Sequence, residues 1–168
     1  MIDKNIVLIG FMGSGKSSIA KKLSQILNKE WIDSDSHIEM SQNQSIPSIF
    51  ATFGESHFRA LESNFIESFS NKSGYIIATG GGLPIFNDTK NLGFRFYLKS
   101  DFHILASRIQ DDKKNTRPLF SDLQAAHKLF KEREKIYEMQ SDAIINANQN
   151  LDSVIAEILA ILRKFETN

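Results

Sequence analysis

Apolar residues recur along this chain in two patterns that alternate, short continuous runs and longer stretches with helical spacing. A strand that is buried on both faces is apolar at nearly every position, and such runs predict strands at 5–9, 31–33, 75–79, 94–98 and 142–146. Helical spacing predicts helices at about 16–28, 36–42, 46–53, 57–71, 102–110, 121–139 and 151–165. This alternation predicts an α/β fold, a parallel sheet with helices on both faces.

The first predicted strand runs into a glycine-rich loop. Residues 10–17 read Gly-Phe-Met-Gly-Ser-Gly-Lys-Ser, which fits the phosphate-binding pattern G-x-x-x-x-G-K-[ST], the P-loop. Backbone N–H groups in such a loop and at the start of the following helix attract phosphate oxygens. The pattern predicts a nucleotide site in which Lys16 reaches the outer phosphates and the Ser17 hydroxyl binds Mg²⁺. A flexible glycine turn with a surface lysine is the alternative.

Composition narrows the function mainly by exclusion. The chain has 168 residues, 41% of them hydrophobic, which suits one domain with one sizeable core. Its 20 basic and 20 acidic residues give no net charge, so no basic field favours nucleic acid. No apolar run approaches the roughly 18 residues of a membrane span. Cysteine is absent, and the first residues lack a signal-peptide layout, so we expect a cytoplasmic protein without disulfides or thiol chemistry.

Two carboxylates follow the second predicted strand. Asp33 and Asp35 lie at its carboxyl end, which is the edge where α/β sheets bind their ligands. One carboxylate is placed to hold Mg²⁺ or its waters, and the other to meet a substrate. Helix capping is the alternative, because Ser36-x-x-Glu39 fits a capping box, although that box leaves Asp33 unexplained.

Three other features carry candidate chemistry, each with a plainer alternative. Arg59 has glutamates three and four positions away, which is typical of ion pairs on a helix surface. Residues 79–82 read Thr-Gly-Gly-Gly, which lets a ligand approach the backbone closely or simply makes a turn. Arg133 and Tyr137 are one helical turn apart, in a charged run that is typical of a solvated face.

A polar segment late in the chain suggests a moving part. Residues 110–116 contain no apolar side chain and are followed by Arg117 and Pro118. A segment of this kind that carries an arginine suits a lid over a nucleotide. We therefore expect a mobile lid at about 111–120.

Taken together and in order, these motifs resemble those of shikimate kinase along almost the whole chain. They are the P-loop, Asp33-Ser34-Asp35, Gly54-Glu55-x-x-Phe58-Arg59-x-x-Glu62, Gly80-Gly81-Gly82, Arg117-Pro118-Leu119 and Arg133-x-x-x-Tyr137. The resemblance implies one P-loop domain over 1–168 with a nucleoside-monophosphate-kinase-like fold, a five-stranded parallel sheet and a substrate-binding helical segment at about 34–62. It also implies transfer of the γ-phosphate of ATP to the 3-hydroxyl of shikimate, on the route to chorismate and aromatic amino acids.

The resemblance further implies a role for each matching residue. Asp35 would bind the reacting hydroxyls, as a base or only by orienting them, and Arg117 would close over the phosphates. Together with Lys16 they form the expected catalytic set. The residues expected to contact the nucleotide are Gly13, Ser14, Gly15, Lys16, Ser17, Ser18 and Arg117. The residues expected to hold shikimate are Asp35, Arg59, Gly81 and Arg133.

The same resemblance implies the cofactors and partners. ATP and Mg²⁺ are the expected cofactors, with the metal held by Ser17 and, through water, by Asp33. Shikimate is the expected small-molecule partner of a monomer that binds neither nucleic acid nor membrane. Two departures from the family pattern stand out. Ser18 replaces a usual threonine, which keeps the hydroxyl, and the loop at 146–151 lacks the arginine and proline that often flank adenine.

Three rival functions remain in view. Another small-metabolite P-loop kinase, such as a gluconate kinase, fits poorly with Asp35, Arg59 and the triple glycine. A nucleotide-dependent switch would usually carry an Asn-Lys-x-Asp guanine motif, which the sequence lacks. A catalytically silent homologue is disfavoured because Lys16 and Arg117 are both present, as is Asp35.

Overall fold

The computed structural model describes residues 4–111 and 122–166, which form a five-stranded parallel sheet covered by helices. The strand order is β2-β3-β1-β4-β5. The strands are β1 (Ile6–Ile9), β2 (Glu30–Asp33), β3 (Tyr75–Ala78), β4 (Phe94–Lys99) and β5 (Ala143–Asn146). The helices of the described ranges are α1 (Lys16–Leu27), α2 (Ser34–Gln42), α3 (Ile46–Phe53), α4 (Glu55–Ser70), α5 (Leu83–Phe86), α6 (Phe102–Asp111), α7 (Leu123–Gln140) and α8 (Leu151–Glu166). The predicted α/β fold and its five parallel strands are confirmed.

The central strand explains the two hydrophobic layers. All four residues of β1 are buried, and successive side chains of a strand point to opposite faces. Ile6 and Leu8 join a cluster with residues of α1 and α8. Val7 and Ile9 join a second cluster with aromatic residues of α4 and α7. The sheet is therefore held between two apolar layers, and its carboxyl edge is left for the loops that follow the strands.

A third, smaller cluster shapes the segment expected to bind the substrate. Ile38 of α2, Ile49 of α3 and Phe58 of α4 are buried against one another. Because these three helices share this cluster, they form one packed unit beside β2 and β3. This unit fixes the directions of Asp35 and Arg59, which lie on its first and last helices.

One local expectation is wrong, and one helix was not predicted. Helix α2 is capped by Asp33, whose Oδ1 accepts the backbone N–H groups of Asp35 at 3.0 Å and Ser36 at 3.1 Å. Glu39 instead accepts the backbone N–H of Ile46 at 2.8 Å, so the capping box at Ser36 does not form. Helix α5 is a single turn, too short to show a helical period.

The expected lid at about 111–120 falls almost entirely on residues that the structure does not describe. Asp111 ends α6, and the rest of the expected lid, with Arg117, lies outside the residues that the structure describes. Within 4–111 and 122–166, the helices are all too short or too polar to cross a lipid bilayer.

Candidate active site

A cleft of about 510 Å³ opens at the carboxyl edge of the sheet. Strands β1, β2 and β3 end here, because the carboxyl ends of parallel strands share one edge. The residues that line the cleft are Met12, Gly13, Gly15, Lys16, Ser17, Ser18, Asp33, Asp35, Thr79, Gly80, Gly81, Gly82, Arg108, Ile109 and Arg133. Most of the predicted site residues are therefore brought to one cavity.

The P-loop turns sharply at its glycines. Gly13 and Gly15 have φ angles of 82° and 89°, a left-handed region that other residues rarely adopt. A Cβ on Gly13 would lie 3.0 Å from the Ile109 side chain, so the loop also packs closely on α6. Gly15 precedes α1, whose first turn carries no acidic residue. The first N–H groups of that helix are thus left open to an anion.

Lys16 folds back over the loop from which it comes. Its Nζ donates to the carbonyl oxygens of Gly10 at 2.7 Å and Phe11 at 2.9 Å, and to Ser14 Oγ at 3.4 Å. The side chain is 9% exposed. These bonds hold the ammonium group at the centre of the loop, where the phosphate oxygens of a nucleotide would meet it.

Ser17 and Asp33 come together from α1 and β2. Ser17 Oγ donates to Asp33 Oδ2 at 2.8 Å, while the other carboxylate oxygen caps α2. A hydroxyl and a carboxylate are the oxygen donors that Mg²⁺ prefers, and Mg²⁺ usually keeps several waters. The described ranges contain no group of three or more acidic or histidine side chains that could enclose a metal. A metal bound partly by water and phosphate therefore fits this pair better than a protein-enclosed ion.

Asp35 lies against the glycine turn that follows β3. A Cβ on Gly80 would overlap the Asp35 carboxylate, so only glycine leaves room for it. The Gly80 N–H also donates to Ser34 Oγ at 2.8 Å, which ties the turn to the start of α2. The carboxylate of Asp35 is thus placed in the cleft by two elements that meet only in the fold.

Arg59 lies beside the cleft, next to Gly82. Its Nη1 donates to Glu62 Oε2 at 2.8 Å, and its Nε and Nη2 donate to Glu55 Oε1 at 3.2 and 3.0 Å. A Cβ on Gly82 would be 2.7 Å from Arg59 Nη1. Arg59 does not line the cleft, whereas Gly82 does. Arg59 packs directly behind Gly82.

The alternative of a purely exposed ion pair is wrong for one of the two glutamates. Glu62 is 1% exposed, whereas the side chain of Glu55 is 58% exposed. Burial raises the pKa of Glu62 above its ordinary value, although the hydrogen bond and charge of Arg59 act in the opposite direction. A buried carboxylate therefore anchors the guanidinium group beside the cleft.

Arg133 and Tyr137 reach the glycine turn from α7. Tyr137 is fully buried, and its hydroxyl donates to the Gly81 carbonyl at 2.6 Å. Burial raises the pKa of Tyr137 to about 12, so it stays a neutral donor. Arg133 lines the cleft, with Nη1 3.8 Å from the position of a Cβ on Gly81. The alternative of a solvated face is therefore wrong for these two residues.

The fold also adds a cation that sequence reasoning missed. Arg108, in the last turn of α6, lines the cleft, and its Nη2 donates to the Ala147 carbonyl at 2.8 Å. It thereby joins α6 to the loop at 146–151, which lacks the arginine that the resemblance leads us to expect. A basic residue at the end of a helix is commonly explained by the helix dipole. Its position just before the expected lid is the signal that could have identified it.

Known proteins resemble this chain along nearly its full length. A family model described as "Shikimate kinase" matches residues 12–163. Shikimate kinase from Helicobacter hepaticus is 41% identical over 162 residues, which cover 96% of this chain and 97% of the relative. Shikimate kinase from Clostridium botulinum is 40% identical over 151 residues, covering 86% and 89%.

Solved structures agree with these relatives. Shikimate kinase from Aquifex aeolicus is 36% identical and superposes with a TM-score of 0.82, covering 95% of this chain and 96% of that one. Shikimate kinase from Acinetobacter baumannii in complex with shikimate is 27% identical, with a TM-score of 0.79 and coverage of 98% and 94%. A deoxyadenosine kinase from M. mycoides and a gluconokinase from Sinorhizobium meliloti, at 16% and 17% identity, share the fold alone.

Proposed function

The chain belongs to the shikimate kinase family, and on that premise we propose how its cleft transfers phosphate from ATP to shikimate. Family membership confirms the resemblance inferred from the sequence and makes the chain an ATP-dependent kinase with shikimate as acceptor. The assignment of roles to particular residues, and of the 3-hydroxyl as the acceptor atom, is our proposal. It rests on the geometry of the cleft.

ATP would bind with its phosphates on the P-loop. Gly13 and residues 15–18, at the start of α1, line the cleft, and Lys16 would add a positive charge there. The base would lie towards Arg108, whose flat guanidinium group offers a face for stacking. Arg117 keeps its expected role of closing over the phosphates.

Mg²⁺ would be held by the Ser17 hydroxyl and, through water, by the Asp33 carboxylate. Their separation of 2.8 Å places both oxygens within reach of one ion. The metal would neutralise charge on the phosphates. Asp33 has a second task, because its other oxygen caps α2, the helix that carries Asp35.

Shikimate would lie in the cleft over the glycine turn, where Asp35, Arg59 and Arg133 would contact it. Shikimate carries a carboxylate, and a planar guanidinium group binds a carboxylate through two parallel hydrogen bonds. The Asp35 carboxylate would accept a hydrogen bond from the reacting hydroxyl and orient it towards the γ-phosphate. Phosphoryl transfer depends on alignment and charge neutralisation more than on covalent help from the protein, so orientation suffices for this role.

One observation carries the proposal: the nucleotide loop, Asp35 and Arg133 line a single cavity. Its test is ADP release by the purified chain with ATP and Mg²⁺, with shikimate, gluconate or no acceptor. We expect release with shikimate alone, and phosphorus NMR should find the product phosphate on the 3-hydroxyl. Equal release with gluconate, or without an acceptor, would contradict the proposal.

Two broader expectations remain proposals. The expected monomer would be tested by size-exclusion chromatography with light scattering. The cytoplasm as compartment, and the absence of nucleic-acid and membrane partners, stay predictions from the sequence.

A further inference from the structure

The ring of Phe86 covers one face of the Arg59 guanidinium group. Arg59 Cζ lies 3.9 Å from the centroid of this ring, and 5.2 Å from that of Phe58. Phe86 is 51% exposed, so burial of the ring does not by itself explain its position. A cation this close to an aromatic face is attracted by the electron density of the ring.

The turn that carries Phe86 is held firmly by its neighbours. Helix α5 is closed by bonds from Phe86 N–H and Asn87 N–H to the carbonyls of Gly82 and Leu83. Gln140 Nε2 of α7 donates to the carbonyls of Pro84 and Asn87. A ring on so well supported a turn can hold a neighbouring side chain in place.

The opposite side of this turn is tied to the helix that carries Arg59. Ser63 Oγ of α4 donates to Asn87 Oδ1 at 2.7 Å. Phe86 and Arg59 therefore sit on two elements that are joined by a direct hydrogen bond. Their stacking distance is fixed by the fold as well as by their mutual attraction.

The contacts of Arg59 divide between the edge and the face of its guanidinium plane. Glu55 and Glu62 accept hydrogen bonds at the edge of the guanidinium group. These bonds limit rotation of the Arg59 side chain, but they do not shield the face of the guanidinium group from water. Phe86 covers that face. With this face covered, the Arg59 N–H groups that do not bond to the glutamates are less hydrated. A charge-assisted hydrogen bond from such groups to a substrate is stronger.

We infer that Phe86 is a positioning residue for the acceptor: it holds the Arg59 guanidinium plane beside Gly82 and shields it from water, so that Arg59 grips the substrate carboxylate. The inference rests on the proposed function, in which Arg59 binds that carboxylate. It adds a residue that contributes to acceptor affinity through Arg59 and leaves nucleotide binding alone.

The test compares steady-state kinetics of Phe86→Leu, Phe86→Tyr and Phe165→Leu. Phe165 is a matched control, because it is 53% exposed and packs on Phe94 at 4.8 Å, on the α8 side of the sheet. We expect Phe86→Leu to raise the KM for shikimate by about 3- to 10-fold, as for loss of one cation–π contact. The KM for ATP should stay unchanged in all three variants, and Phe86→Tyr, which keeps the ring, should behave as wild type.

A double-mutant cycle links the effect to Arg59. In an Arg59→Lys background, which lacks the flat guanidinium face, Phe86→Leu should change the KM for shikimate much less than it does in the wild type. Thermal unfolding checks that each variant is folded, and Phe86→Met replaces Phe86→Leu if the latter does not fold.

The outcomes separate this inference from the proposed function. If Arg59→Lys raises the KM for shikimate but neither ring-removing variant does, Phe86 has no positioning role. An equal rise in the KM for ATP, a similar rise in Phe165→Leu, or an unreduced effect in the Arg59→Lys background would also overturn it. If Arg59→Lys itself leaves the KM for shikimate unchanged, the proposed role of Arg59 is wrong.

Discussion

The two sides of the cleft are built in different ways. The proposed nucleotide side comes from one continuous stretch, of which Met12, Gly13 and residues 15–18 line the cavity. The proposed acceptor side draws Asp35 from α2, Arg59 from α4 and Arg133 from α7, which meet at the glycine turn after β3. A phosphate site can thus be local in sequence, because the backbone supplies its donors. A site that must distinguish one small acid needs side chains, and these come from distant elements.

The two sides also differ in how charge is balanced. On the nucleotide side, Lys16 Nζ donates to the carbonyl oxygens of Gly10 and Phe11. On the acceptor side, Arg59 is already paired with the buried Glu62. We therefore expect nucleotide-side changes to affect the rate of transfer, and acceptor-side cation changes to affect mainly the affinity for shikimate.

The largest effect is expected for Lys16→Ala. Loss of the ammonium group should lower kcat by about 100-fold or more, in line with other groups that stabilise transition-state charge. Thermal unfolding should show a folded protein, because Lys16 lies in neither hydrophobic cluster of the sheet. Lys21→Ala, an exposed lysine one turn further along α1, is the control and should keep wild-type activity. Comparable turnover in both variants would reject the nucleotide site.

Asp35→Asn should have an effect of similar or slightly smaller size. Asparagine keeps the shape of the side chain and removes its charge, so we expect kcat to fall by about 100-fold, as for a lost acid–base group. The melting temperature should hardly change. Asp152→Asn, in the exposed first turn of α8, controls for the loss of one negative charge. A near-wild-type rate for Asp35→Asn would mean that this carboxylate is structural.

Arg59→Lys and Arg133→Lys should produce a moderate change confined to the acceptor. Lysine cannot form the two parallel bonds of a guanidinium group, so the KM for shikimate should rise by about 10-fold, the value of one such bond. The KM for ATP should barely change. Arg163→Lys, in the last turn of α8, is the matched control. Unchanged shikimate KM values in both site variants would show that neither arginine binds the acceptor.

The smallest effect concerns pH and the buried Glu62. Burial raises the pKa of Glu62 in the folded state. At pH values between the ordinary pKa and the raised one, the folded chain therefore holds a proton that the unfolded chain has released. The stability that this gives is complete below the ordinary pKa of 4.5 and is lost as pH rises through the folded pKa. Glu62→Gln cannot ionise. Its melting temperature relative to wild type should therefore be more favourable at pH 7 than at pH 4.

Glu55→Gln is the control for that comparison, because its carboxylate also accepts from Arg59 but is largely exposed. Its melting temperature relative to wild type should show little dependence on pH. The interpretation of Glu62 fails if both variants have the same pH dependence.

The same contrast explains how much the sequence could predict. The strands were visible as apolar runs, and the P-loop as a local pattern, because burial and backbone geometry leave a trace in neighbouring residues. Helix α5 left no trace, since one turn shows no period. The contact of Arg108 with the loop after β5 and the burial of Glu62 depend on packing between distant elements. The local pattern therefore gave no role to Arg108 and favoured a surface ion pair for Glu62. The identity of the acceptor came from the family resemblance and not from spacing or charge.

The central claim is that one cleft joins a nucleotide side and an acceptor side that can be disabled separately. Isothermal titration calorimetry of Lys16→Ala and of the double variant Arg59→Lys/Arg133→Lys tests it directly, with a non-hydrolysable ATP analogue and shikimate as separate ligands. Lys16→Ala should bind shikimate as wild type does and bind the ATP analogue weakly, while the double variant should show the reverse. If each variant lost affinity for both ligands equally, or for neither, the two-sided account would be contradicted.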